Sequence, residues 1–142
     1  MKVRSMIEHS RLPETDTRRL RTEAEAVAVD QSDPARIEAA DLSARFFRVL
    51  GDPTRVRLLH LLLDIPAGEC NVGDLVTALG VPQSRISTHL ACLRWCGLVQ
   101  TRREGKQVYY RAADARVREL LSLGSAMVRD HAAEVASCEV IR

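Results

Sequence analysis

Two of the four cysteines, Cys92 and Cys96, stand four residues apart in ACLRWCGL. On a helix that spacing puts both Cβ atoms on one face about 5 to 6 Å apart, near enough for two sulfurs to hold one ion. Thiolates are soft ligands that favour thiophilic ions, whereas magnesium and calcium seek oxygen. The same thiols can also act as redox groups, and free cysteines serve elsewhere as small apolar fillers. Helical phase argues against the filler role, because both cysteines lie about 100° from the stripe formed by Ile86, Leu90 and Leu93. Cys70 precedes a helix and reads as structural, with a ligand role left open. His60 stands among leucines and reads as a core residue. His9, near the start of the chain, gains no role.

A second set of residues has the chemistry of hydrogen bonding and charge. Gln83, Ser84, Arg85, Ser87, Thr88 and His89 are short or forked hydrogen-bonding side chains at the start of one helical stretch. Arg102, Arg103 and Lys106 follow on a strand-like segment. Residues 85–111 hold six basic residues against the single acidic Glu104, while residues 1–33 are net −1. Such a block is either a solvated face or a surface for a polyanion.

The elements that position these residues are legible in outline. Ser32-Asp33-Pro34 is a helix-start signature, and apolar positions recur to Leu50, predicting a helix over about 34–50. Gly51-Asp52-Pro53-Thr54 breaks the chain before VRLLHLLLDI, a short apolar helix that ends at Pro66-Ala67-Gly68. A helix over 74–79 stops at Gly80, and a second begins near Pro82, which is the helix-turn-helix pattern. After Gly97 the period changes to two. LVQTRR and QVYYRA, joined by Glu104-Gly105-Lys106, predict a β-hairpin, the wing of a winged helix. From Asp114 a helical face with Val117, Leu120, Leu121, Gly124, Met127 and Val128 runs to about Val135. It is suited to dimerisation or to closing the core. The fold class expected is mainly α with a β-hairpin wing, a dimeric winged helix-turn-helix. Residues 1–33 read as a flexible extension in which TRRLRTEAEAVAVD holds a marginal helix, 34–136 as the domain and 137–142 as a tail.

With 142 residues, 46% hydrophobic, 28% charged and 4% aromatic, the chain has the size of one aliphatic-cored domain plus an extension. Its most apolar run, Leu58–Leu63, falls far short of the roughly 20 residues a bilayer span needs. The basic N-terminus develops no apolar leader, so a cytoplasmic protein with reduced thiols and no membrane partner is expected. No phosphate-binding glycine loop, nucleophile motif or Cys-x-x-Cys beside a βαβ unit is present. The enzyme alternative, a thiol oxidoreductase, therefore lacks its signature. Placed on the second helix and the wing, the polar and basic residues fit double-stranded DNA. Gln83, Ser84, Arg85, Ser87, Thr88 and His89 are positioned for base edges, and Arg102, Arg103 and Lys106 for phosphates.

The runs LGDPTRVRLLHLLL and DLVTALGVPQSRISTHLACLRWCGLVQTRREGKQVYYR resemble the ArsR/SmtB family of winged-helix metal-sensing repressors over residues 36–136. The resemblance implies a homodimer joined through its first and last helices. It also implies that the metal-free dimer represses an operator and that metal releases it. The family's sensor sites vary in position. A site built on ELCVCDL falls here on ECNVGDL, where Asn71 and Gly73 replace the cysteines. A zinc site on the last helix wants Asp-x-His, but Asp114 is followed by Arg116, and His131 with Glu134 stands a turn too far on. The CmtR-type cadmium and lead arrangement, Cys-x-x-x-Cys on the recognition helix plus a cysteine near the C-terminus, is met by Cys92, Cys96 and Cys138.

Three thiolates suit Cd(II), Pb(II), Hg(II) or As(III), whereas zinc usually takes a fourth donor. Cys138 lies beyond a helix roughly 33 Å long, and the resemblance implies that it completes the site from the other subunit. The expected inducer is Cd(II) or Pb(II), with no organic cofactor. A thiol redox sensor on the same scaffold is the rival reading.

Overall fold

Three helices start at a side-chain cap, at Asp33, Asp52 and Asn71. In the computed structural model, which describes residues 32–141, Asp33 Oδ1 accepts the Ala35 amide at 3.1 Å, and helix α1 (Pro34–Leu50) follows. Asp52 does the same more fully, accepting the Thr54 and Arg55 amides at 2.8 and 3.1 Å ahead of α2 (Pro53–Asp64). Strand β1 (Cys70–Asn71) leads into α3 (Val72–Leu79), which Asn71 caps through the Asp74 amide. Gly80 ends α3 at φ 64°, a left-handed conformation that an L side chain adopts only with strain. Helix α4 (Gln83–Trp95), strands β2 (Val99–Glu104) and β3 (Gln107–Ala112), α5 (Arg116–Asp130), α6 (Ala132–Ser137) and a 3₁₀ turn (Glu139–Ile141) complete the order.

The chain divides into two compact units at Ala40/Asp41. Of the first, the structure describes Ser32–Ala40, which holds the opening turns of α1. The second, from Asp41, has a core of Leu58, Leu59 and Leu62 from α2, Leu75 from α3, Ile86, Leu90 and Leu93 from α4, Leu98, Val99, and Val117 and Leu121 from α5. Ile86, Leu90 and Leu93 are wholly buried, so the stripe read from the sequence is the face that α4 packs inward. Two arginines tie helix ends together. Arg55 donates to the Val49 and Arg48 carbonyls at the end of α1, and Arg57 donates to the Leu79 carbonyl at the end of α3 at 3.1 Å.

The hairpin forms where expected, with Val99 opposite Ala112 and Glu104 opposite Gln107, and a sheet of order β1-β3-β2 results. Its third strand was not foreseen. Cys70 and Asn71 pair antiparallel with Tyr110 and Tyr109, and two residues are too few to leave a periodic signal in the sequence.

Two further expectations are corrected. The last helix does not run on to Val135 but breaks at His131, whose amide is shared between the Met127 and Val128 carbonyls at 3.1 and 3.3 Å. Residues 131–137 are all exposed, so no core contact holds them on the axis of α5. His60 is exposed rather than buried, because its helical phase points away from Leu58, Leu59 and Leu62. The marginal helix expected within the first 31 residues lies outside the described residues.

Candidate functional site

Helix α4 carries both sets of residues that the sequence singled out. Its first turn is closed by backbone alone, the Arg85 and Ile86 amides donating to the Pro82 carbonyl, and no side chain caps it. Gln83, Ser84, Arg85, Ser87 and Thr88 are exposed. Thr88 is oriented by its own helix, its hydroxyl donating to the Ser84 carbonyl at 2.9 Å. Ser84, Arg85, Thr88 and His89 line a shallow depression of about 330 Å³.

His89 is set apart from the others. Its side chain is 13% exposed, and Nδ1 lies 3.9 Å from Oδ1 of Asp52, the residue that caps α2. Burial pushes the Asp52 carboxyl up, but the Arg55 amide, the facing His89, the Thr54 amide and the Arg55 charge together hold it below its ordinary value. A signal for this contact was available in retrospect, because His89 stands closer in helical phase to Leu93 than Thr88 does.

The three basic residues of the wing also separate. Arg103 and Lys106 are exposed. Arg102 instead lies over the Tyr109 ring, 4.7 Å from its centroid. Its Nε donates to both Glu69 carboxylate oxygens at 3.1 and 3.2 Å, and its terminal nitrogens engage Glu69 and Glu104. The guanidinium beside Glu69 holds that carboxyl below its usual range, and Glu69 with Glu104 drives Arg102 up. Glu69 was missed by sequence reasoning because it stands 33 residues from its partner, and nothing local marks the pairing. Arg111, the remaining basic residue of β3, donates to Gln100 on β2 at 3.0 Å.

Cys92 and Cys96 are brought together as their spacing requires. Both are half-buried, and the Cys96 amide, at the C-terminal cap of α4, donates to the Cys92 carbonyl at 3.1 Å. Burial pushes the Cys96 thiol up, followed by the charge and side-chain hydrogen bond of Cys92, with Arg55 acting in the opposite sense. The two thiols thus stand one helical turn apart at the end of α4. Cys138 lies at the end of α6 in extended backbone and is half-buried. It does not join the pair within one chain. Among the described residues no group of three or more His, Cys, Asp or Glu is placed to hold a metal. Cys70 sits in the core, 4% exposed, its thiol pushed up to about 11 by burial and then by Asp74.

Behind Cys96 opens a cavity of about 420 Å³ lined by Phe46, Cys96, Gly97, Leu98, Val117 and Leu120, with Asp114 and Arg116 on its wall. These last two are paired with each other through Arg116 Nε and both Asp114 oxygens at 3.0 and 2.9 Å. A separate groove of about 490 Å³ runs along α5, lined by Leu50, Val56, His60, Leu121 and Val128 among others.

The sequence profile described as "Bacterial regulatory protein, arsR family" matches residues 52–101, which span α2 to the first half of β2. A protein described as a probable mercury resistance operon repressor of Streptomyces lividans is 43% identical over 98 residues, covering 69% of this chain and 76% of that one. The chain belongs to the ArsR family. The regulator CmtR of Mycobacterium tuberculosis is 49% identical over 78 residues, covering 55% of this chain and 64% of its own length.

Solved structures agree with the assignment. The homodimeric winged helix-turn-helix DNA-binding domain of a possible ArsR-family regulator from Mycobacterium bovis matches with TM-score 0.60 at 35% identity, covering 71% of this chain and 90% of that one. NolR of Sinorhizobium fredii matches with TM-score 0.58 at 34% identity, covering 67% and 92%. In this ArsR-family regulator α3 and α4 are the helix-turn-helix and β2–β3 the wing. The family is one of DNA-binding transcription regulators rather than enzymes. Among the described residues no helix is long and apolar enough to cross a membrane.

Proposed function

We propose that this ArsR-family protein is a metal-responsive repressor that binds operator DNA as a metal-free homodimer and leaves it when a soft ion is bound by cysteine thiolates. The observation that carries the reading is the adjacent, half-buried thiol pair on the recognition helix itself. Relatives described as repressors of mercury and arsenical resistance operons support the general function. The CmtR-type cysteine pattern favours Cd(II) or Pb(II), with Hg(II) and As(III) in the same chemical class. Gln83, Ser84, Arg85, Ser87 and Thr88 present the base-reading face, Arg103 and Lys106 the phosphate contacts, and His89 steadies α4 against the α2 cap.

The donor set fits a three-thiolate ion only if a third sulfur comes from outside the pair. Cys138 supplies it from the second subunit of the homodimer, the state described for the Mycobacterium bovis structural neighbour. Tying α4 to another subunit's tail changes the placement of Arg85 and Thr88, two turns and one turn from Cys92. Binding of ion and of DNA is then antagonistic by linkage, with a coupling of about 1 to 3 kcal/mol.

The test is an ultraviolet titration of the reduced protein with Cd(II) and then Pb(II), paired with release of a labelled operator. A thiolate charge-transfer band saturating at one ion per subunit, lost on C92S, C96S and C138S, is expected. Full metal-driven release by C92S overturns the reading, and release by reversible oxidation without metal moves it to thiol redox sensing.

A further inference from the structure

Among the described residues two cysteines stand one turn apart without a third, and one of them, Cys96, lines a cavity. Inorganic As(III) has three valences to fill and Cd(II) and Pb(II) take three or more donors, but a trivalent arsenic that already carries one carbon substituent has two valences left, the number this pair offers. Such a ligand also needs somewhere to put its organic group. The cavity of about 420 Å³ behind Cys96 is walled by Phe46, Leu98, Val117 and Leu120. Its one charged stretch, Asp114 with Arg116, is internally neutralised, so it favours an uncharged apolar group over an anion. Gly97, in its lining, contributes no side chain, and even an added Cβ there would meet open space.

We propose that Cys92 and Cys96, together with this cavity, form a site for a monosubstituted trivalent arsenical, R–As(III), whose organic group occupies the cavity. The proposal rests on the reading of the pair as a thiolate site for soft ions, and it goes beyond that reading in ligand class and in dispensing with Cys138. The chemistry is a condensation. R–As(OH)₂ and two thiols give R–As(S-Cys)₂ and two waters: two As–O bonds break, two As–S bonds form, and each thiol proton leaves with a hydroxide as water. Arsenic stays trivalent and no oxidant or reductant is consumed. An aryl group gains most, because its apolar surface leaves water for the walls of Phe46, Val117 and Leu120.

The experiment uses the full reduced chain, titrated with phenylarsine oxide and separately with methylarsonous acid. Emission of Trp95, the single tryptophan, stands next to Cys96 and reports binding, and intact mass reports stoichiometry. One phenylarsenic per chain is expected, with affinity lost at least a hundredfold in C92S and C96S and unchanged within twofold in C138S. Phenyl is expected to bind at least tenfold more tightly than methyl. L120F, which narrows the cavity from a half-buried position, should cut the phenyl affinity at least tenfold and leave methyl unaffected. Its urea unfolding midpoint checks that it folds, and the phenyl-to-methyl ratio of the unmodified chain stands as a test without it. Equal affinity for the two arsenicals, an adduct on Cys70, or loss of binding in C138S overturns the proposal.

Parallel Cd(II) titrations separate the two readings. Phenylarsine oxide bound through Cys92 and Cys96 with no cadmium thiolate band sinks the three-thiolate reading alone. A cadmium site that needs all three cysteines, beside an indifferent phenylarsine oxide, sinks this one alone. Failure of both sinks the pair as a soft-ion site.

Discussion

The Arg102 clip on the wing predicts a salt dependence that differs from simple counting of basic residues. Each phosphate neutralised by a protein cation steepens the fall of log Kobs with log[salt] by about 0.9 on duplex DNA. Arg102 is already held by a two-oxygen contact to Glu69, by Glu104 and by the face of Tyr109, so in the wild type it contributes little to that slope. Replacing Glu69 with Gln removes the carboxylate that makes the paired contact and leaves Glu104, which at 68% exposure is well screened by solvent. The slope should then steepen by up to about 0.9 per subunit, an additional loss of about 3.5-fold per subunit between 50 and 200 mM salt. Fluorescence anisotropy with a labelled non-specific duplex measures it, because this electrostatic component needs no operator. Since E69Q also raises the net charge, the double variant E69Q/R102A isolates the part that acts through Arg102. The expectation is that R102A alone leaves the slope unchanged and that the double variant returns to it. A slope flattened by about 0.9 per subunit in R102A, with E69Q equal to wild type, would show that Arg102 reaches phosphate unaided and would refute the reasoning.

Other expectations follow from the same contacts. Leu90 is wholly buried beneath the recognition face, and L90A should lower stability by about 2 to 5 kcal/mol in urea unfolding. D52A removes the cap of α2 and should destabilise by about 1 kcal/mol, with the His89 ring resonances shifting in NMR as that ring loses its facing carboxylate. Asp114 is held at about 2 by the Arg116 side chain and then its amide, below an ordinary 3.8. The stability it contributes is therefore fully present above that ordinary value and lost as pH falls toward about 2. The difference in unfolding midpoint between wild type and D114N should shrink over that interval. Iodoacetamide at pH 8 should label Cys92, Cys96 and Cys138 well before Cys70, whose thiol burial raises to about 11; peptide mapping at short times checks the order.

Much of the site was legible from one helix. Helical phase alone separated the core stripe Ile86, Leu90 and Leu93 from the cysteines, and the stripe is buried while Cys92 and Cys96 are neighbours at half burial. Phase also places His60 on the outside, opposite Leu58, Leu59 and Leu62, although the residues next to it in sequence are leucines. The break at His131 was less accessible, because AAEVAS continues the helical composition and only the absence of a surface to pack against ends the axis.

What the sequence determined by itself is therefore what nearest neighbours in the chain determine. These are the caps at Asp33 and Asp52, the stop at Gly80, the change of period after Gly97 that makes the wing, and the four-residue spacing that joins two sulfurs. Each is set by backbone geometry within a few residues. Only the tertiary structure decided that Cys70 and Asn71 join the sheet, that Glu69 takes Arg102 out of the free charge of the wing, that His89 turns to Asp52, and that a cavity opens behind Cys96. Those features depend on groups 30 or more residues apart meeting around a shared core, and local spacing carries no information about which distant partner will be there.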